Sequence, residues 1–253
     1  TLLACKETPL LDSPDFDVHC SRSNSLFETS VTRLRERERA YSRREFVARG
    51  SRSVRCEHCL LAETACICSQ RPAPVNGVAV CLLYYKGEVF KPSNTGRLIA
   101  DVLADNYAYL WARTEPEPEL AALLSNNAYA PLLVFPKEYA APERQLNESN
   151  AIDTYLNGRT PLLIFLDGTW REARKMFRSR WLANVPVVSI DPAQASQYLL
   201  RVAAHEHQLG TAEVAVPVLE SLGYTTAAQA LSEYFVLFRT HYLAGKPYHT
   251  SED

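Results

Sequence analysis

The sequence predicts an α/β fold: a mostly parallel sheet with helices on both faces, preceded by a helical and metal-binding segment. Three features point to it. Short apolar runs of buried-strand length recur at 77–85, 130–135, 161–167 and 185–190, with a weaker candidate at 107–111. Helical stretches fall between or after them, at about 94–105, 118–127, 169–181, 211–222 and 226–244. Four of the seven cysteines crowd into residues 56–68, ahead of the first strand.

At the amino-terminal end, residues 1–30 read as a loosely ordered arm. Without a basic start followed by an apolar region, this end does not resemble a secretion signal, and a cytoplasmic protein is expected. The stretch from Ser30 to Gly50 holds good helix formers and no proline, so it predicts a helix ending at the glycine. Residues 29–55 carry nine arginines against three glutamates, which suits either a solvated helix face or one that meets RNA. Residues 101–150 lean the other way, with eight acids against three bases, so a polyanion would meet one side of the fold and avoid another.

The spacing Cys56-x2-Cys59-x6-Cys66-x-Cys68 brings two close pairs around one ion. That is the arrangement of a structural zinc site, with no open position for catalysis. His58 inside the first pair is read as a neighbour, not a ligand. After "RPAP" the strand and helix alternation begins, which divides the chain into the arm, a basic helix and zinc segment over 31–74, and a main domain over 75–253. The longest apolar stretch, 78–85, is far below the roughly 20 residues of a membrane helix. At 47% hydrophobic and 22% charged residues with a net charge of −2, the composition lacks the overall basic excess of a general nucleic-acid binder.

Candidate functional residues lie where strands end, because ligands of open parallel sheets sit at the carboxyl ends of the strands. "LLIFLD" delivers Asp167 to such a mouth, followed by Gly168, which lets the backbone turn closely. Thr169 and Glu172 fit a capping box, so the threonine hydroxyl can serve as a helix cap alone. Asp167 and Trp170 are costly at a strand mouth unless they meet a partner. On the following helix Arg171, Arg174, Lys175 and Arg178 form a stripe, which is either a solvated face or a grip for phosphates. Ser93, Asn94, Thr95 and Arg97 mark a second strand-to-helix transition, and Thr211 and Glu213 a third helix start. Neither G-x-G-x-x-G nor G-x-x-x-x-G-K-[ST] occurs, so the familiar dinucleotide and P-loop sites are poorly supported. His205 and His207 lack metalloprotease spacing and read as surface residues.

Together "CEHCLLAETACIC", "KPSNTGRLIADVL", "VFP", "LDGTWREARKMFR" and "TAEVAV" closely resemble the DTW-domain family, over about residues 43–246. The resemblance implies a SPOUT-like fold with a carboxyl-terminal trefoil knot, and S-adenosylmethionine as donor. It implies transfer of the 3-amino-3-carboxypropyl group to N3 of a uridine in the tRNA variable loop, releasing methylthioadenosine. In that chemistry Asp167 is either the base for N3 or a ligand of the donor's ammonium, with Thr169 and Trp170 beside it. Trp170 would stack on uracil or adenine. Arg97 and the backbone near Ser93, Asn94 and Thr95 would hold the donor's carboxylate. Phe135 and Pro136 would line the adenosine pocket, with Gly168, Thr211 and Glu213 completing the donor site. Arg43 and Arg44 would join Arg171, Arg174, Lys175 and Arg178 on the tRNA backbone. No protein partner is expected. The rival readings are a SPOUT-type RNA methyltransferase and a non-enzymatic, zinc-containing RNA-binding protein.

Overall fold

The computed structural model describes residues 28–41, 54–146, 149–189 and 210–245. Its five strands, β1 (Val75–Tyr84), β2 (Leu103–Leu110), β3 (Tyr129–Val134), β4 (Thr160–Asp167) and β5 (Val187–Val188), form one sheet in the order β2-β1-β4-β3-β5. Every pairing is parallel. The helices are α1 (Ser30–Tyr41), α2 (Gly96–Val102), α3 (Pro118–Leu124), α4 (Ser149–Leu156), α5 (Trp170–Phe177), α6 (Thr211–Ser221) and α7 (Thr225–Ala244). Residues 190–209, in the carboxyl-terminal part expected to be knotted, lie outside the described residues, as do residues 1–27 of the arm and residues 42–53, whereas Ser30, expected in the arm, begins α1.

Strand alternation sorts the core into two layers. On the α2 face, Val78, Val80, Leu82 and Tyr84 of β1 and Leu163 and Phe165 of β4 meet α1, α2, α4, α6 and α7. On the α5 face, Ala79, Cys81 and Leu83, with Leu162 and Ile164, meet α3 and α5. Both central strands are buried on both sides, which is why they read as continuous apolar runs and not as alternations.

Several boundaries differ from the sequence expectation, each for a local reason. The helix expected over 94–105 ends at Val102, and Leu103 enters β2 without an intervening loop. As an edge strand β2 tolerates polar residues such as Asp105 and Asn106, and these hid its beginning. Asn106 is used by α1, whose first residue Ser30 donates to the Asn106 Oδ1 from its amide at 2.9 Å and its hydroxyl at 2.7 Å. The helix expected over 169–181 stops at Phe177, and Trp181 sits in the short turn Arg180–Leu182 instead. β5 is only two residues long, and β2 runs four residues earlier than the 107–111 stretch expected.

The sheet order creates a crevice. β1 and β4 are neighbours, with Tyr84 opposite Asp167 in register. The chain leaves β1 toward α2 on one face and leaves β4 into α5 on the other. Their carboxyl ends therefore split apart, the place where open α/β sheets accept ligands.

Candidate active site

Asp167 is the last residue of β4 and shares the parity of Leu163 and Phe165, so its carboxylate turns to the α2 face, 4% exposed. The loop after β1 meets it there: Asn94 Nδ2 donates to Oδ1 at 2.6 Å. From α6, the Thr211 hydroxyl donates to Oδ2 at 3.2 Å. Close approach is possible because residue 96 has no side chain; a Cβ on Gly96 would lie 2.1 Å from Asp167 Oδ2 and 3.1 Å from the Tyr84 hydroxyl. Burial pushes the Asp167 carboxyl up to about 7, and the charge of Glu88 adds to the rise, while Asn94, Thr211 and Lys91 oppose it. A carboxyl of this kind exchanges its proton near neutral pH.

Three motifs far apart in sequence thus converge. Thr95 Oγ1 accepts from the Ala212 amide at 3.2 Å, and the Gly210 amide donates to Glu213 Oε2 at 2.6 Å. Glu213 is therefore a helix-capping carboxylate, and burial raises its pKa. Ser93 is exposed beside these groups. Arg97 is brought to the same loop but turned inward: 3% exposed, it donates through Nη1 to the carbonyls of Asn94 at 2.6 Å and Pro92 at 3.2 Å. Its guanidinium lies over the Phe238 ring, 4.8 Å from the centroid. Its Nε and Nη2 and the Tyr84 hydroxyl are buried with no hydrogen-bond partner among the described residues.

Gly168 packs its Cα against Tyr85 and Glu172, where a Cβ would come within 3.2 and 3.1 Å of their Cβ atoms. Thr169 caps α5: its Oγ1 accepts from the Glu172 amide at 3.4 Å, while its own amide and hydroxyl donate to Glu172 Oε2 at 2.8 and 2.7 Å. Trp170 is 46% exposed, with its ring stacked on Phe135 at 5.5 Å and Tyr139 packed edgewise at 5.6 Å. Phe135 is held from behind by Phe177 at 4.3 Å, so the plane of the indole is fixed. Pro136 opens the turn that carries Tyr139.

The predicted basic stripe forms one wall of a cleft of about 910 Å³, lined by Arg171, Arg174, Lys175 and Arg178. The sequence reading missed the rest of the lining, where Trp111 and Arg113 stand after β2 and Arg180 follows α5. Arg113 sits within the acidic stretch 101–150, so counting charge along the chain concealed it. Lys175 Nζ lies 5.5 Å from the Tyr85 ring and 5.3 Å from the Trp111 ring, two aromatics that stack on each other. Arg43 and Arg44 lie outside the described residues.

The four cysteines close on one point. The Sγ atoms of Cys56, Cys59, Cys66 and Cys68 all lie within 4.8 Å of one another, with Cys56 and Cys68 at 3.5 Å and Cys59 and Cys66 at 3.8 Å. A tetrahedron with Zn–S bonds of about 2.3 Å has edges of about 3.8 Å. The donor set and spacing therefore fit a metal such as zinc, and His58 is not among the clustered groups. Leu61 and Ile67 of this knuckle are buried in the same core as α1, α2 and α7.

Among the described residues no helix is long and apolar enough to cross a membrane. No solved structure matches the chain. The DTW domain does match it, over residues 53–243, a span that takes in the cysteine knuckle, the Asn94 loop, Asp167 with its basic helix, and α6. The chain belongs to the DTW-domain family.

Proposed function

We propose that the protein transfers the 3-amino-3-carboxypropyl group of S-adenosylmethionine to N3 of a uridine in the tRNA variable loop. The family is associated with tRNA-uridine aminocarboxypropyl transfer. The observation that carries the reading is Asp167, buried at the β1–β4 crevice with a carboxyl near neutrality and a basic cleft beyond it. When bound, the donor supplies a carbon made electrophilic by the neighbouring sulfonium.

The chain's own groups do the rest. N3 of uracil carries a proton that must leave as the new N–C bond forms, and Asp167 takes it. The C–S bond breaks in the same step, and its electron pair neutralises the sulfonium, so methylthioadenosine departs uncharged. Asn94 and Thr211 fix the two carboxylate oxygens and thereby the direction in which the base faces. Trp170 offers its exposed face to the uridine ring, with Phe135 holding the plane. The segments carrying Ser93, Thr95, Thr211 and Glu213 wall the donor side, together with Pro136. These residues fit a donor with a cationic centre, since a buried carboxylate held by Asn94 and Thr211 faces the donor side. Propyl rather than methyl transfer follows from which carbon of the sulfonium is turned toward N3. Arg171, Arg174, Lys175 and Arg178, with Arg113 and Arg180 in the same cleft, hold the sugar–phosphate backbone. The cysteine cluster, holding zinc, is structural.

The test is a reaction of the purified chain with unmodified tRNA and S-adenosylmethionine, followed by mass analysis of nucleosides and small products. A uridine heavier by one aminocarboxypropyl group, with methylthioadenosine, is expected. Methylated nucleoside with S-adenosylhomocysteine would make the protein a methyltransferase. Intact tRNA binding without any product would make it a binding module.

A further inference from the structure

Two buried arginines stand between the knuckle and the reacting centre without taking part in the chemistry above. Arg35 of α1 is 2% exposed; its Nε donates to the Val89 carbonyl at 3.2 Å and its Nη1 to the carbonyls of Glu57 at 2.7 Å and His58 at 3.2 Å. One guanidinium thus joins the tip of the cysteine knuckle to the Glu88–Phe90 turn in the loop that follows β1. Arg97 holds the other end of that loop through the carbonyls of Pro92 and Asn94. Between these clamps the loop presents Asn94, whose amide contacts Asp167.

Burying two guanidinium groups near each other is costly: burial lowers the Arg35 pKa to about 10, and the charge of Arg97 contributes to the fall. The carbonyl acceptors on both segments, with the charge of nearby Asp101, offset that cost. A second tie closes the circuit on α7, where His241 Nδ1 lies 3.1 Å from the Ala65 carbonyl of the knuckle and Phe238 covers Arg97.

We propose that Arg35 is a positioning residue that transmits the folded state of the four-cysteine knuckle to the 89–95 loop and, through Asn94, to Asp167. The kinetic part rests on Asp167 acting as the base; the exchange measurement below does not.

Arg35→Met and Arg35→Lys are compared with wild type for zinc content, tRNA affinity, kcat and the pH profile of kcat/KM. Lysine keeps the charge but lacks the fork that reaches two segments at once. Both variants are expected to keep zinc and tRNA affinity while kcat falls roughly 10- to 100-fold, as misplacement on the order of 1 Å produces. The acidic limb should move to higher pH, because the Asn94 bond that favours the Asp167 carboxylate weakens. Wild-type kcat and limb in the methionine variant would overturn the proposal, and full rescue by lysine would reduce it to an effect of charge.

Hydrogen exchange on the wild-type chain, before and after metal chelation, decides the point even if the methionine variant does not fold. Faster exchange is expected at 54–71 and at 88–97, with β3 unchanged. Acceleration confined to 54–71 refutes the link, and loss of protection in β3 as well would mean that the metal holds the whole fold and not this loop.

Discussion

Gly96→Ala adds one methyl group at the point where the carboxylate of Asp167, the proposed base, is most confined. Its carbon would stand 2.1 Å from Asp167 Oδ2, 3.3 Å from Asp167 Cγ and 3.1 Å from the Tyr84 hydroxyl. Ordinary contact begins at 3.4 Å, so the carboxylate oxygen must retreat by on the order of 1 Å. The backbone of Asp167 cannot follow, because its carbonyl accepts from the Tyr85 amide at 2.8 Å within the paired strand ends. Tyr84 is fully buried and blocks the other way out. The side chain must therefore rotate, giving up the Asn94 or the Thr211 bond.

Displacement of that size costs roughly 100-fold in kcat, which is about 2.7 kcal/mol of barrier. Overpacking costs about 1–3 kcal/mol of stability, and alanine in place of glycine at the first residue of α2 returns up to about 1 kcal/mol. The melting temperature should then fall by less than about 12 °C. Transfer kinetics, tRNA binding and thermal unfolding measured together decide the matter. Turnover within about threefold of wild type would show that the carboxylate orientation is not what drives the reaction. Abolished tRNA binding would show instead that the variant disturbs far more than one side chain.

The raised Asp167 pKa gives a second prediction. It lies near 7 when folded against the ordinary 3.8, so the wild type is favoured at low pH and loses stability as pH rises from 3.8 through about 7. The loss is at most about 4 kcal/mol. Asp167→Asn stays neutral, and its urea midpoint should match wild type at pH 4 and exceed it at pH 8; equal midpoints at both would sink the assignment. For the cleft, replacing Arg171, Lys175 and Arg178 with alanine should flatten the plot of log tRNA affinity against log salt by about 0.7–0.9 for each phosphate that is no longer neutralised. An unchanged slope would place the RNA elsewhere. Thr169→Ala removes a capping hydroxyl and should cost about 1 kcal/mol in chemical denaturation. Unchanged stability would mean that the Glu172 carboxylate caps α5 alone.

β1, β3 and β4 were legible because strands buried on both faces must be apolar throughout, and such runs stand out in any sequence. The junction of α2 and β2 was not, since "LIADVLAD" carries neither glycine nor proline at the change of direction. Asp167, Asn94 and Thr211 could be picked out as polar residues where a strand ends or a helix begins. Tyr84, Arg35 and the Trp111–Arg113 wall could not, because they reach the site through strand pairing and layer packing between distant segments. The inward turn of Arg97 was hidden for another reason: α2 is buried from Gly96 through Ala100, so no exposed face existed to receive a charged side chain.

The sheet itself divides the proposed labour. Asp167 and its donor-side neighbours belong to the α2 face, whereas the arginine-lined cleft belongs to the α5 face, and only the rim formed by the ends of β1 and β4 is common to both. Small molecule and RNA would then arrive from opposite sides, and neither stands in the other's doorway. Addition in either order follows from this topology, so a competitor of the small molecule should raise its apparent KM without altering the dissociation constant of the RNA.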